Sequence, residues 1–328
     1  RNVLLALVLV GLVLLWTGIH IACNRGQCES IEEKIMRRVG LFVMTNLAVL
    51  MVFGFVMNLM EPWLRAQGIN VNQAGMLLFA LIFGMGGALI SLLMSKKIAL
   101  MSTKAQVIEK PTSQVERWLI ATVERQSREA GIGMPQVAIF EAAEPNAFAT
   151  GASRNNSLVA VSTGLLRHMN ESEVEAVLAH EVSHVANGDM ITMTLLQGVL
   201  NTFVLLLSRV LGQIIDRAVF RSERGYGPGY FITVIVLQIV LGILASIIVM
   251  AFSRWREFRA DAGGARLAGR AKMIAALEKL RRSHQPGQLP EAVEAFGIRG
   301  RVGDGFKRLF MSHPPLEERI AALETGKR

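Results

Sequence analysis

Five long apolar runs dominate this 328-residue chain: Val3 to Ile21, Val39 to Met60, Ala74 to Met94, Met193 to Ile215 and Tyr230 to Phe252. Each is long enough to cross a hydrocarbon core as a helix, which takes about 20 residues. None carries an acidic or basic side chain at its centre. Ser91, Asn201, Gln238 and several glycines give the last three runs groups to bury against neighbouring helices. The chain is 52% hydrophobic yet only 6% aromatic, with a mean hydropathy of +0.39, so the excess lies in Leu, Val, Ile, Met and Ala. Soluble domains of this size are not this apolar. The expected class is an integral membrane protein, predominantly α with a small β-sheet. The Met193 run also admits a reading as a buried hairpin helix.

A net charge of +9 raises the possibility of nucleic acid, but the basic residues flank the apolar runs and form no stripe interleaved with aromatics. They read instead as orientation signals and contacts to the lipid bilayer. Arg37 and Arg38 precede the second run and Lys96, Lys97 and Lys104 follow the third, which places these ends in the cytoplasm. The loop Glu61 to Gln73 then faces outward. The resulting organisation is an N-terminal extension with one anchor (1–35), two membrane helices (36–95), a cytoplasmic segment (96–192), a membrane hairpin (193–252) and a second cytoplasmic segment (253–328). The first run could serve as a signal-peptide core, but no A-x-A site follows it, so an uncleaved anchor with its N-terminus outside is expected. Cys23 and Cys28, the only two cysteines, support neither a disulfide framework nor a zinc site.

Between the third and fourth runs the periodicity is that of a folded domain. A helix after Pro111 places Val115, Trp118, Leu119 and Thr122 on one face and stops at Gly131 and Gly133. Short strands are expected at Gln136 to Phe140 and Ser157 to Ser162, separated by a Gly/Asn-rich turn from Gly151 to Asn156. Asn170 and Glu173 form a capping-box variant that opens a helix running to Asn187, with Gly188 able to end it. The last apolar run continues without a breaker to Leu267. A helix from Lys272 to Arg282, a Gly/Pro-rich linker from Gln285 to Gly305 and a final helix begun by Pro314 and Pro315 complete the chain.

His180-Glu-Val-Ser-His184 is an H-E-x-x-H pattern on a helix, where a four-residue spacing puts both imidazoles on one face a turn apart. With only 6 His in the chain, the pattern would arise by chance on the order of once in a hundred such sequences. Two neutral imidazoles suit Zn²⁺, and Glu181 beside them can take a proton from an attacking water and pass it to a leaving amine. The competing reading is a pair of packed helix histidines without a metal. A catalytic zinc takes three protein ligands and keeps an open position, so a third donor is required. Asn187 and Met190 stand where a metzincin has Gly and His, which excludes that class. Glu257 is the best third ligand, because Asp261 lies one turn further along its helix face. Asp261 can accept the free ring N–H of a ligand histidine. Its alternative is an exposed partner of Arg254 or Arg266. His184 stands nine residues before Met193 and Glu257 five after Phe252, which places the metal within roughly 15 Å of the ends of these runs.

Four segments together, Asn146-Ala-Phe-Ala-Thr-Gly151, His180 to Asp189, Arg256-Glu-Phe-Arg-Ala-Asp261 and Ser312-His-Pro-Pro315, resemble the bacterial membrane-bound heat-shock zinc proteases, relatives of the CAAX prenyl proteases. The resemblance covers about Met36 to Lys327 and leaves the extension before it without a counterpart. It implies a gluzincin-type catalytic domain holding one zinc, with endopeptidase activity on misfolded membrane proteins at the cytoplasmic face of the inner membrane. Membrane-protein polypeptides are the implied substrates and other membrane quality-control proteases the implied partners. The resemblance also implies that Asn146 and the strand near it, with Ala147 and Phe148, bind substrate backbone as an added strand, and that His313 and Arg319 lie near the oxyanion. Otherwise Asn146 is a turn residue after Pro145, His313 a helix start and Arg319 a surface charge. A prenyl-protein protease and an inactive membrane scaffold are the rival functions. A transporter is disfavoured, since no run carries buried ionisable residues.

Overall fold

The computed structural model describes residues 73–221, 227–283 and 309–326, with isolated positions between 54 and 66. The first apolar run, all but isolated positions of the second, the two cysteines and the linker from Gln285 to Gly305 lie outside the described residues. The chain divides into two compact units, one of Ile90–Thr194 with Ser246–Arg328 and one of Arg1–Leu89 with Leu195–Ala245.

α1 (Gln73–Ala80), in the second of these, leads through a π-helical turn (Leu81–Gly86) into α2 (Gly87–Thr103), which belongs to the first from Ile90 onward. Met76 and Ala80 pack on Leu206 and Val210 of α6 (Asp189–Phe220). The Arg209 guanidinium lies 4.0 Å over the Phe79 ring, a cation–π contact that shields its charge. A Cβ at Gly84 would sit 2.7 Å from Thr202 Cα, so glycine is what permits this close backbone approach. Asn201 and Ser91, expected to be buried, are exposed among the described residues. The helical phase turns Thr202, the neighbour of Asn201, inward instead. Among the described residues three helices are long and apolar enough to cross a membrane: Gly75–Thr103, Asp189–Phe220 and Gly229–Ala268. They coincide with the last three apolar runs, and only 11% of the apolar window in Gly229–Ala268 is buried within the protein, as a lipid-facing helix requires.

The other unit carries a four-stranded sheet and the helices packed on it. The strands are β1 (Gln106–Val107), β2 (Gln136–Phe140), β3 (Ala147–Ser153) and β4 (Asn156–Ser162), in the order β1-β2-β4-β3. β2 and β4 are parallel and the other two pairs antiparallel. Local pattern gives no strand at β3, since Gly151 to Asn156 reads as a turn, although the resemblance implies a strand near Asn146. Its small residues Ala147, Ala149 and Gly151 give little strand signal of their own, and pairing with Val161, Val159 and Ser157 of β4 supplies what propensity does not.

α3 (Gln114–Ala130) begins at a capping box of Ser113 and Glu116 and ends at Gly131 in the left-handed conformation, φ 65°. Its buried face is Leu119, Thr122, Val123 and Gln126, whereas Val115, expected on that face, is exposed. Val115 belongs to the first turn, before the helix reaches the core. After the short α4 (Thr163–His168), α5 (Glu171–Asn187) opens with the reciprocal bonds of Asn170 and Glu173. Its Ala176, Val177, Leu178 and Val182 join Val159 and Val161 of β4 in the core. Met273, Ala276 and Leu277 of α8 (Arg270–Ser283) and Ile320 and Leu323 of α9 (Leu316–Thr325) close it. Before α8, α7 (Pro228–Ala268) runs unbroken.

Candidate metal centre

Local sequence positions each part of the centre. The capping box sets the start of α5, and Gly188, with φ 65°, both ends it and turns the chain back into α6 at Asp189. His180 and His184 lie one turn apart on the buried side of α5, 7% and 8% exposed. Glu181 between them is half-buried. α7 brings Glu257 and Asp261 to the same place because two glycines let it approach α5. A Cβ on Gly263 would lie 2.6 Å from Ser183 Oγ, and one on Gly264 3.1 Å from the His180 backbone nitrogen.

The two imidazoles face one another with Nε2 atoms 3.1 Å apart, and Glu257 completes a triangle at 3.4 Å from His180 Nε2 and 3.3 Å from His184 Nε2. Their other nitrogens are held by carboxylates. His184 Nδ1 is 2.6 Å from Asp189 Oδ2, and His180 Nδ1 is 2.9 Å, less well aligned, from Asp261 Oδ1. With both Nδ1 protons directed at carboxylates, two Nε2 lone pairs and a carboxylate point into the same small volume. Glu257 is fully buried and neither of its oxygens receives a well-aligned hydrogen bond, an arrangement that is costly unless a cation resolves it. Donors bound at about 2.0–2.1 Å around one tetrahedral ion are about 3.3–3.4 Å apart. The triangle of His180, His184 and Glu257 therefore fits a single metal ion.

Electrostatics agree with this. Burial disfavours a charge on His180, but its contacts with Asp261 and Glu257 outweigh that and raise its pKa from 6.5 to about 10. His184 is likewise lowered by burial and raised further by Asp189 and Glu257. The cluster attracts positive charge.

Two more groups come from the chain's last segment. His313, 60% exposed, places Nδ1 2.9 Å from Glu257 Oε2. Arg319 is buried on α9, donates from Nε and Nη2 to Asp261 at 2.7 and 2.6 Å, and keeps Nη1 3.7 Å from Glu257. Asp261 is thus neither exposed nor paired with Arg254 or Arg266. Asn146 is exposed, and its backbone is pinned to Ser162, whose Oγ accepts the Asn146 N–H at 2.9 Å while Asn146 O accepts the Ser162 N–H at 2.8 Å. Ala147 and Phe148 follow as the first residues of β3, which packs against α5 and whose outer edge carries no strand among the described residues.

A family model described as peptidase family M48 matches residues 113–327. The chain belongs to peptidase family M48. Among relatives of the same family, Protease HtpX of Thioalkalivibrio sulfidiphilus (strain HL-EbGR7) is 60% identical over 295 residues, covering 89% of this chain and 100% of its own. Protease HtpX of Alkalilimnicola ehrlichii (strain ATCC BAA-1101 / DSM 17681 / MLHE-1) is 58% identical over 297 residues, covering 89% of this chain and 99% of its own. The crystal structure of S. mikatae Ste24p is similar at a TM-score of 0.55 and 17% identity, a likeness of fold that covers 86% of this chain. This chain spans 66% of that chain's length. The heat-shock protease resemblance of the four motifs is thus to the HtpX proteins, and this M48 chain is a membrane metallopeptidase.

Two further residues bear on the centre: sequence alone assigns Asp189 no role of its own, and Arg254 only that of an alternative partner for Asp261. Asp189 stands in the His180 to Asp189 motif, and an acid five residues after a ligand histidine, just past a helix-ending glycine, is a usable signal for its contact with His184. Arg254 has no such signal. Its Nη1 donates to the carbonyls of Leu309 and Met311 at 3.3 and 2.8 Å, more than 50 residues away along the chain.

Proposed function

We propose that this metallopeptidase is a zinc endopeptidase that cleaves misfolded or damaged membrane proteins at the cytoplasmic face of the bacterial inner membrane. The observation that carries the reading is the buried triangle of His180 Nε2, His184 Nε2 and the Glu257 carboxylate, with sides of 3.1, 3.4 and 3.3 Å. Two nitrogens and one carboxylate are a donor set typical of catalytic zinc with a position left open. Bound there, zinc supplies a Lewis acid that polarises the scissile carbonyl and acidifies the attacking water.

The remaining steps belong to side chains. Glu181, next to a ligand in sequence and half-buried, takes the proton from the attacking water and delivers it to the leaving amine. Asp189 and Asp261 fix the tautomers of His184 and His180, so that each presents an Nε2 lone pair. His313, exposed beside Glu257, is placed to donate to the oxygen that gains charge as water adds. Arg319 acts one step further out, holding Asp261 by a two-pronged bond. The free edge of β3 accepts an extended substrate segment through backbone hydrogen bonds, starting at Asn146, Ala147 and Phe148. Such pairing reads extension more than side chains, which suits a protease acting on unfolded stretches of many proteins.

Chain order supports this location. Two segments separated by an apolar hairpin build one compact unit, which favours both emerging on one side of the membrane, and Lys96, Lys97 and Lys104 favour the cytoplasm as that side. The test is metal analysis and casein hydrolysis on detergent-purified protein, wild type beside Glu181→Gln and Glu257→Ala. One zinc per active wild-type chain, zinc kept but activity lost in Glu181→Gln, and zinc lost in Glu257→Ala are expected. Zinc retained by Glu257→Ala assigns the third ligand elsewhere.

A further inference from the structure

The last described segment runs beside α7 and is attached to it at three points in order. Arg254, Glu257 and Asp261 occupy positions i, i+3 and i+7 and so share one face of α7. Arg254 Nη1 donates to Leu309 O and Met311 O at 3.3 and 2.8 Å. Glu257 meets His313 Nδ1 at 2.9 Å, and Asp261 meets Arg319 at 2.6 and 2.7 Å. The middle attachment joins a metal-ligand candidate to the exposed histidine of the strap, and the outer two fix where that strap lies.

The two outer attachments are not equivalent. On the C-terminal side His313 is followed by Pro314 and Pro315, which fix their own φ and bias the preceding residue away from helical backbone. α9 then begins at once, anchored by Ile320 and Leu323 in the core and by Arg319 on Asp261. That side is stiff. On the N-terminal side residues 310–312 belong to no helix or strand, and Leu309 and Met311 are 38% and 41% exposed, so apolar burial contributes little. The Arg254 side chain, half-buried on a rigid helix, ties the strap two residues before His313. A guanidinium serves this purpose because it is always charged and its planar fork loses little freedom on bonding.

We infer that Arg254 is a positioning residue for catalysis: by clamping the carbonyls of Leu309 and Met311 it holds His313 over Glu257 at the metal centre. It touches neither the reacting atoms nor the metal. The inference rests on the reading of His313 as an oxyanion donor given above, and it adds a residue through which that donor is aimed.

A double-mutant cycle on the full chain in detergent, loaded with zinc, decides it. Zinc content, thermal midpoint, kcat and KM on a quenched fluorogenic peptide are measured for wild type, Arg254→Met, His313→Ala and the double variant. Misplacing a donor should cost less than deleting it, so Arg254→Met is expected to lower kcat about tenfold, with KM altered less than about twofold and zinc content unchanged. In the His313→Ala background the same substitution is expected to change kcat less than about twofold, since there is no longer a donor to aim. Arg254→Lys, whose ammonium can still reach a carbonyl, is expected to fall between. If Arg254→Met fails to fold or to load zinc, the Arg254→Lys cycle with His313→Ala carries the same comparison. An equal loss in both backgrounds, or no loss in either, overturns the role of Arg254 alone. A His313→Ala enzyme with wild-type kcat overturns the oxyanion reading of His313 and this inference with it.

Discussion

His184 Nδ1 and Asp189 Oδ2 lie 2.6 Å apart across the left-handed turn at Gly188. The turn matters because α5 would otherwise carry the next acid away from the ring. The contact fixes the proton on Nδ1, aims the Nε2 lone pair at the Glu257 triangle and makes the ring a better donor. Asp189→Asn keeps the size and a hydrogen-bond acceptor but removes the charge. Its zinc affinity should fall about 10–100-fold while the thermal midpoint stays close to wild type. Competition against a chromophoric chelator measures this, and an unchanged affinity would remove Asp189 from the centre.

Gly263 sets the distance between the two helices that carry the ligands. Its missing side chain leaves room for Ser183, whose Cβ would be 2.8 Å from a Cβ at position 263. Ser183 is itself held by its Oγ bond to Ala179 O at 2.7 Å, so the clash falls on an ordered group. Gly263→Val should destabilise the protein by about 1–3 kcal/mol and lower zinc occupancy, because Glu257 moves with α7. Ser183→Gly, which vacates the space at some helix cost, should restore zinc to Gly263→Ala. Failure of that suppression would argue that the close approach is not what places Glu257.

Glu175 gives the unit a pH dependence separate from the metal. It lies on α5 between Arg125 of α3 and Lys272 of α8, the latter at 2.6 Å. Burial raises its pKa, but the bonds to Lys272 and Arg125 outweigh burial and leave it below the ordinary 4.5. A depressed carboxylate stabilises the fold above its unfolded pKa, and the effect fades as pH falls through the lower folded value. Glu175→Gln should therefore melt about 2–4 °C below wild type at neutral pH, with the gap closing below about pH 4. Thermal scans of both proteins across that range test it. A gap that persists in acid would mean that packing, not charge, carries the difference.

How much of the molecule was legible differs from part to part, and for physical reasons. The i, i+4 histidines and the carboxylate at Glu257 are readable because a helix converts spacing into direction without help from the rest of the fold. The unbroken path from the last apolar run into Glu257 is readable for the same reason, and α7 follows it to Ala268. β3 is not, because Ala147, Ala149 and Gly151 become a strand only when β4 is alongside. Val115 illustrates the converse: it has the right period for the core but lies in a first turn that never reaches it. Arg254 and its carbonyl partners were illegible altogether, since a side chain bonded to backbone oxygens places no demand on the residue types at Leu309 or Met311.

Arg319 has two readings that make opposite predictions. As an oxyanion donor it would act on the reacting carbonyl, and its loss would depress kcat while leaving metal and stability intact. The geometry instead commits Nε and Nη2 to Asp261 at 2.7 and 2.6 Å, inside a buried cluster. Burial lowers the Arg319 pKa, but Asp261 and the nearby Glu257 and Glu181 charges raise it further, so the group stays charged where it is. Arg319→Lys loses the planar fork, and a single ammonium cannot hold both Asp261 oxygens while sparing His180. It should melt lower and bind zinc more weakly, with kcat at saturating zinc reduced less than about threefold. Arg319→Met, which leaves Asp261 buried without its partner, should cost about 3–5 kcal/mol. Zinc titration and thermal melts of Arg319→Lys beside kcat at saturating metal separate the two readings. A large kcat loss with wild-type zinc affinity and stability would return Arg319 to the reacting carbonyl and leave the orientation of His180 to Asp261 alone.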